Sequence, residues 1–131
     1  MKKIALAAVV CLVAAGASAQ INVVKDAERA MKGNASLDDV VKIITPAFTN
    51  PETEQLAQTY YVPGKAAFNN ADMLLVQRQL GQLDDKGIVA MAKNLLEGYN
   101  YFMKAFPLDS LPDAKGKIKP KYSKDMVNVL A

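Results

Sequence analysis

Three acidic pairs are the side chains whose type and spacing bear most directly on chemistry: Asp38-Asp39, Glu52 with Glu54, and Asp84-Asp85. Carboxylates so placed would serve general acid and base steps, or hold a divalent cation through oxygen ligands. Each pair, however, falls where a helix is expected to start, and negative charge there complements the free N–H groups of the first turn. Capping is therefore the role expected of all three. Little else is available for catalysis. The chain has no histidine and no tryptophan, and its one cysteine is Cys11. That excludes a Ser–His or Cys–His nucleophile pair, an imidazole base, a His-ligated zinc and an intrachain disulfide. No phosphate-binding glycine loop and no G-x-S-x-G turn occurs. The sequence predicts a protein that is not an enzyme and that uses no metal or cofactor.

Two further groups are candidates for binding. Lys115, Lys117, Lys119, Lys121 and Lys124 surround Tyr122, and Asp125 is the one acid among residues 115–131. Such a cluster would contact an anionic lipid headgroup or glycan. Its alternation with Gly, Ile and Pro reads more simply as an extended, solvated loop. The formal charge of the whole chain is +3, too small an excess to predict nucleic acid as a partner. Tyr60-Tyr61 and Tyr99-Asn100-Tyr101-Phe102 would suit a ligand groove, since tyrosine joins an apolar ring to a hydrogen-bonding tip. At helical spacing they are expected to pack between helices instead, with Tyr101, off the Tyr99/Phe102 face, as the exposed ring.

The N-terminus reads as a secretory leader: Lys2-Lys3, an uninterrupted apolar run from Ile4 to Ala15, and Ala17-Ser18-Ala19 as a small-x-small cleavage site before Gln20. The run is too short to span a bilayer, which takes roughly 20 apolar residues. Val10 precedes Cys11 where an acylated cysteine would need a small neighbour, so lipidation is not expected. Cleavage between Ala19 and Gln20 would leave one domain, residues 20–131, without cysteine, in the periplasm or outside the cell. Export also removes the usual nucleic-acid targets. Hydrophobic residues make up 51% of the chain and charged ones 22%, a balance that predicts a packed core.

The elements are helices. Ile21, Val24, Ala27, Ala30 and Met31 share one face of a first helix that should end at Gly33-Asn34. Ser36, with an acidic first turn behind it, should cap a second helix reaching about Thr49, with Pro46 ending its regular turn. Asn50-Pro51-Glu52-Thr53 is expected to open a third, bent at Pro63, and Met73 to Leu80 to form a separate piece. Asp84 to Gly87 should lead into a long helix with a broad apolar stripe, stopped by Pro107. A last helix starts at Ser123. No segment alternates with period two, so the fold expected is all-α.

The stretch GYNYFMKAFPLDS, residues 98–110, resembles the second helix of a tetratricopeptide repeat (TPR) and the turn after it, with Gly98, Phe102, Ala105, Phe106, Leu108 and Asp109 at the pattern positions and Ser110 where proline is usual. Tyr60 and Gly64 resemble the aromatic and the close-contact glycine of the repeat's first helix, with Pro63 atypical there. Ala47, Phe48 and Pro51 resemble the end of a preceding repeat. Gly64 and Gly98 stand further apart than the family's spacing of about 12 residues within a repeat of about 34, which implies an insertion holding the 73–80 helix. The chain as a whole is similar to exported, divergent TPR proteins of the Bacteroidetes type, with a final helix, 123–131, that looks cut short. The resemblance implies antiparallel helix hairpins stacked as a short TPR-like solenoid. It also implies a scaffold that binds a protein or peptide between helix pairs, with self-association open to a chain whose last helix lacks a partner. Binding of envelope lipid or glycan through the lysine loop is the alternative.

Overall fold

The computed structural model describes residues 19–131. Their regular elements are helices: α1 (19–32), α2 (Leu37–Ile44) running into a 3-10 turn (Thr45–Phe48), α3 (Ala57–Gln79), α4 (Asp85–Asp109) and α5 (Ser123–Leu130). Residues 1–18 of the expected leader, Cys11 included, lie outside the described residues. Its last position, Ala19, and the next, Gln20, belong to the first turn of α1 that is described. Among the described residues the one β feature is a single bridge between Pro112 and Ile118, and no helix is long and apolar enough to cross a membrane.

The frame is the antiparallel pair α3–α4, whose contact is the most extensive among helices α2 to α5. Small residues let the two backbones approach, and rings fill what remains. Gly64 sits under Phe102, and a Cβ added there would lie 2.5 Å from a carbon of that ring. Gly98 sits under Phe68 in the same way, at 2.8 Å. The two phenylalanines touch each other with ring centroids 5.0 Å apart. One reciprocal glycine–phenylalanine exchange thus sets the spacing of the hairpin.

On one face of the hairpin α1 and α2 are held by Val24, Ala27, Met31, Leu37, Val40 and Ile44, which pack on Val62, Ala66 and Ala67. Asn34, with φ +59°, turns the chain out of α1, and Ala35 donates its N–H back to Ala30 across the turn. This is the left-handed helix ending predicted at Gly33-Asn34. Ser36 accepts from the Asp39 N–H and caps α2. Asn70 of α3 supplies a second tie, accepting from the Leu37 N–H and donating to the Ala35 carbonyl.

On the opposite face α5 lies at the base of the hairpin, where Met126 is fully buried against Phe68, Phe102 and Ala105. It runs in the direction of α3: Tyr122 stacks on Tyr61 at 4.4 Å, and one turn later Asp125 accepts from the Tyr61 hydroxyl and the Lys65 ammonium.

Three expectations about boundaries are corrected. Pro63 does not interrupt α3, and Met73 to Gln79, expected as a separate piece, are the C-terminal part of one 23-residue helix. The proline ring is completely buried, so packing offsets its one lost hydrogen bond. Pro107 does not stop α4, which continues to Asp109; its nitrogen cannot donate to the Met103 carbonyl, a loss of one bond that the last turn tolerates. Finally, α3 begins at Ala57, because residues 51–55 form turns in which the buried Thr53 hydroxyl donates to the Ala47 carbonyl.

At the tip of the hairpin Gly81 takes φ +70°, and the Gly81 and Gln82 N–H groups close on Arg78 and Gln77. A side chain in this left-handed conformation is strained. Gly81→Ala is therefore expected to cost about 1 kcal/mol in urea-induced unfolding, although a Cβ there meets no neighbour. An unchanged midpoint would contradict this reading.

Candidate functional site

The two outer faces of α4 differ sharply. On the side toward α2, Lys93, Glu97, Asn100, Tyr101 and Lys104 form a polar rim with one aromatic ring. Between this rim and α2 runs a groove of about 440 Å³, walled by Asp38 and Val41 on α2 and by Glu97, Asn100, Tyr101 and Lys104 on α4. Tyr101 and Lys104 also border a second hollow of about 320 Å³, completed by Phe48 and Tyr60.

This second hollow is aromatic. Phe48, on the 3-10 turn, stacks on Tyr60 of α3 at 5.6 Å and on Tyr101 of α4 at 6.1 Å. Three elements far apart in sequence therefore meet through one ring. Lys104 extends over the Tyr60 ring, its ammonium 5.8 Å from the centroid, as a cation attracted by the ring face. Burial, with Glu97 beside it, pushes the Tyr101 hydroxyl above its ordinary pKa; burial, with Glu54 nearby, does the same for Tyr60. Both rings stay neutral phenols that donate and accept hydrogen bonds.

The arrangement has the parts of a recognition surface: flat apolar rings, neutral hydroxyls, one amide, and charges of both signs on the rim. It has no nucleophile placed against a base, and among the described residues no three side chains of metal-ligating type converge.

The sequence-predicted residues fall in three places. Gly64, Gly98, Phe102 and Ala105 are buried in the hairpin interface, with Phe106 half-buried beneath α5 and Tyr60 in the aromatic hollow. The lysines Lys115, Lys117, Lys119 and Lys121 are exposed. Their loop is not simply extended: Asp113 accepts from the Lys115 and Lys117 N–H groups, and Gly116 turns with φ +75°. The acidic pairs separate in role. Asp84 caps α4 by accepting from the Gly87 N–H, and Asp38 and Asp39 lie in the first turn of α2. Glu52 and Glu54 lie on the turns before α3, not at a helix start.

Two ring assignments change. Tyr99, 48% exposed, is the open tyrosine of α4, whereas Tyr101 is half-buried in the groove. Tyr99 and Phe102 share an apolar seam, but only its Phe102 half is covered. Glu97 and Lys104 were missed as groove residues, although residues 97, 100, 101 and 104 share one face of a helix by spacing alone. Phe48 as the ring that joins Tyr60 to Tyr101 leaves no sequence signal.

No protein-family model matches the chain, and no curated protein or solved structure resembles it significantly.

Proposed function

We propose that this protein is an exported, non-enzymatic helical scaffold of TPR type whose α2–α4 groove holds a short segment of another protein. One observation carries the reading: the stacked Phe48, Tyr60 and Tyr101 rings line a hollow that shares Tyr101 and Lys104 with a groove whose rim is polar and of mixed charge. Flat rings bind peptide side chains and backbone at small entropic cost, because few torsions freeze, and rim charges select orientation. The packing of α1–α2 onto the α3–α4 hairpin, with glycines at the closest approach, supports the repeat reading. The leader supports export to the periplasm or beyond.

The test is an array of random and envelope-protein peptides probed with the purified chain, followed by Tyr101→Ala and Lys104→Glu. Bound peptides should lose about tenfold in affinity with Tyr101→Ala, as for a typical aromatic contact residue worth about 1.5 kcal/mol. Peptides bound equally by both variants, or no peptide bound at all, would overturn the assignment.

A further inference from the structure

The face of α4 away from α2 carries an apolar seam only half of which is covered. Ile88, Ala92, Leu95, Tyr99, Phe102 and Phe106 recur at alternating spacings of four and three, the pattern of a helix that packs along another helix. Over Phe102 and Phe106 the seam is occupied, since α5 inserts Met126, Tyr122 and Val129 there. Above α5 it continues bare for about three turns: Ile88 is 40% exposed, Leu95 43% and Tyr99 48%. The neighbouring stripe, Val89 and Leu96, is more open still, at 69% and 63%.

We infer that a second copy of this chain covers the open seam, α4 packing antiparallel on α4 about a two-fold axis between Ala92 and Leu95, so that two hairpins form a four-helix bundle. Three observations select this occupant. First, the surface is self-complementary. In an antiparallel pair each stripe beside the seam meets its own symmetry mate, and here that stripe, Val89 and Leu96, carries no charge that would be set against its like. The charged side chains of α4 in this region, Lys93 and Glu97, lie toward α2 and stay in solvent.

Second, Ala92 is the one small residue of the bare seam and lies at its middle, where crossing helices come closest. Third, the area is adequate. The exposed parts of these side chains expose on the order of 600 Å² of apolar surface, at the upper end of the largest patch on an ordinary monomer. Leu75 and Val76 on the adjoining edge of α3, 42% and 54% exposed, extend it toward the roughly 800 Å² per partner of a stable interface. The groove proposed above lies on the other face of α4, so a dimer of this kind presents two grooves pointing outward.

The experiment is sedimentation equilibrium on the chain produced with its leader and purified as the cell processes it, compared with Leu95→Lys and Leu96→Glu. Both side chains are exposed, and circular dichroism checks that each variant stays helical; Val89→Lys replaces either one that does not. The wild type should be a dimer at 50 µM, and the variants should dissociate at least 100-fold more readily. Asn100→Lys, on the groove side, should leave the dimer intact. A wild type that is monomeric at 50 µM overturns the inference, as does a dimer untouched by these changes or a monomer that instead floats with phospholipid vesicles. Peptide capture lost with Tyr101→Ala but retained in Leu95→Lys separates the two surfaces.

Discussion

Phe102→Ala is expected to destabilise the folded chain by about 4 kcal/mol, read from urea-induced unfolding by circular dichroism. Phe102 is completely buried and stands at the junction of three elements. Its ring lies over Gly64 of α3, against Phe68 at 5.0 Å and beside Tyr61 at 6.0 Å, and it helps to bury Met126 of α5. Truncation removes the transfer free energy of a whole ring and leaves a cavity that cannot collapse, because the glycine beneath offers no side chain to fill it. The converse change is informative as well. Gly64→Ala puts a methyl group 2.5 Å from the Phe102 ring, which should cost about 2 kcal/mol despite the better helix propensity of alanine. Combined with Phe102→Leu the two penalties should not add, since a smaller partner frees the space the methyl needs. A Phe102→Ala chain within 1 kcal/mol of wild type would contradict the packing described.

The second large effect is expected at Asp109, whose removal should release α5. This carboxylate, 8% exposed, accepts from the N–H groups of Lys121, Tyr122 and Ser123 and from the Ser123 hydroxyl, at 2.6 to 3.0 Å. It thus caps α5 from the end of α4. The helix has no side-chain cap of its own. Burial alone would raise the Asp109 pKa, but the four hydrogen bonds outweigh it and hold the carboxyl below its ordinary value. Asp109→Ala leaves the donors unpaired, at a cost of about 3 kcal/mol. An eight-residue helix carries little stability alone, so the loss should appear as local detachment. Trypsin should then cut after Lys121 and Lys124 about 100-fold faster, while α3–α4 remains folded.

The same contacts give the docking of α5 a pH dependence of defined sign. Asp125 resembles Asp109: burial raises its pKa, and the hydrogen bonds from Lys65 and Tyr61, with the Lys65 charge, lower it by more. A carboxylate held below its unfolded value contributes stability that is fully present above the unfolded value, about 4, and lost as pH falls through the folded one. Tyr61 acts at the other end. Burial, then the hydrogen bond to Asp125, raises its pKa well above 10, so docking weakens as pH rises past the ordinary tyrosine value. Proteolysis after Lys124 should be slowest on a plateau from about pH 5 to 9 and accelerate in acid. Acceleration that begins near pH 6 would point to a different group.

Local patterns in the sequence carried the helical elements well where cause and effect lie within one or two turns. Ser36 caps because Asp39 is three residues on, and Val24, Ala27 and Met31 are buried because their spacing puts them on one face. The prolines misled for a physical reason. Local reasoning assigns Pro63 the loss of a hydrogen bond, but the compensation is complete burial of its ring, which no local window reveals. The ties that close the fold are equally remote: Asn70 to Leu37, Asp125 to Tyr61, and Asp109 to an N-terminus 12 to 14 residues later. The groove shares this property. Its α4 face is readable from residues 97, 100, 101 and 104, whereas the aromatic hollow beside it exists only because Phe48 is carried against Tyr60 and Tyr101 by the turn after α2. The TPR resemblance drew attention to Tyr60, Gly64, Gly98 and Phe102, and the structure places the last three, with Phe68, at the closest approach of α3 and α4.

On the function proposed above, the groove between α2 and α4, with the aromatic hollow beside it, is where this protein meets its ligand. Backbone amide shift mapping by NMR, with the tightest peptide from the array titrated into the labelled chain, tests it most directly. The largest shifts should fall on Asp38, Val41, Phe48, Glu97, Asn100, Tyr101 and Lys104. Shifts concentrated instead on the lysine loop, Lys115 to Lys121, or on the open seam at Leu95 and Tyr99, would contradict it.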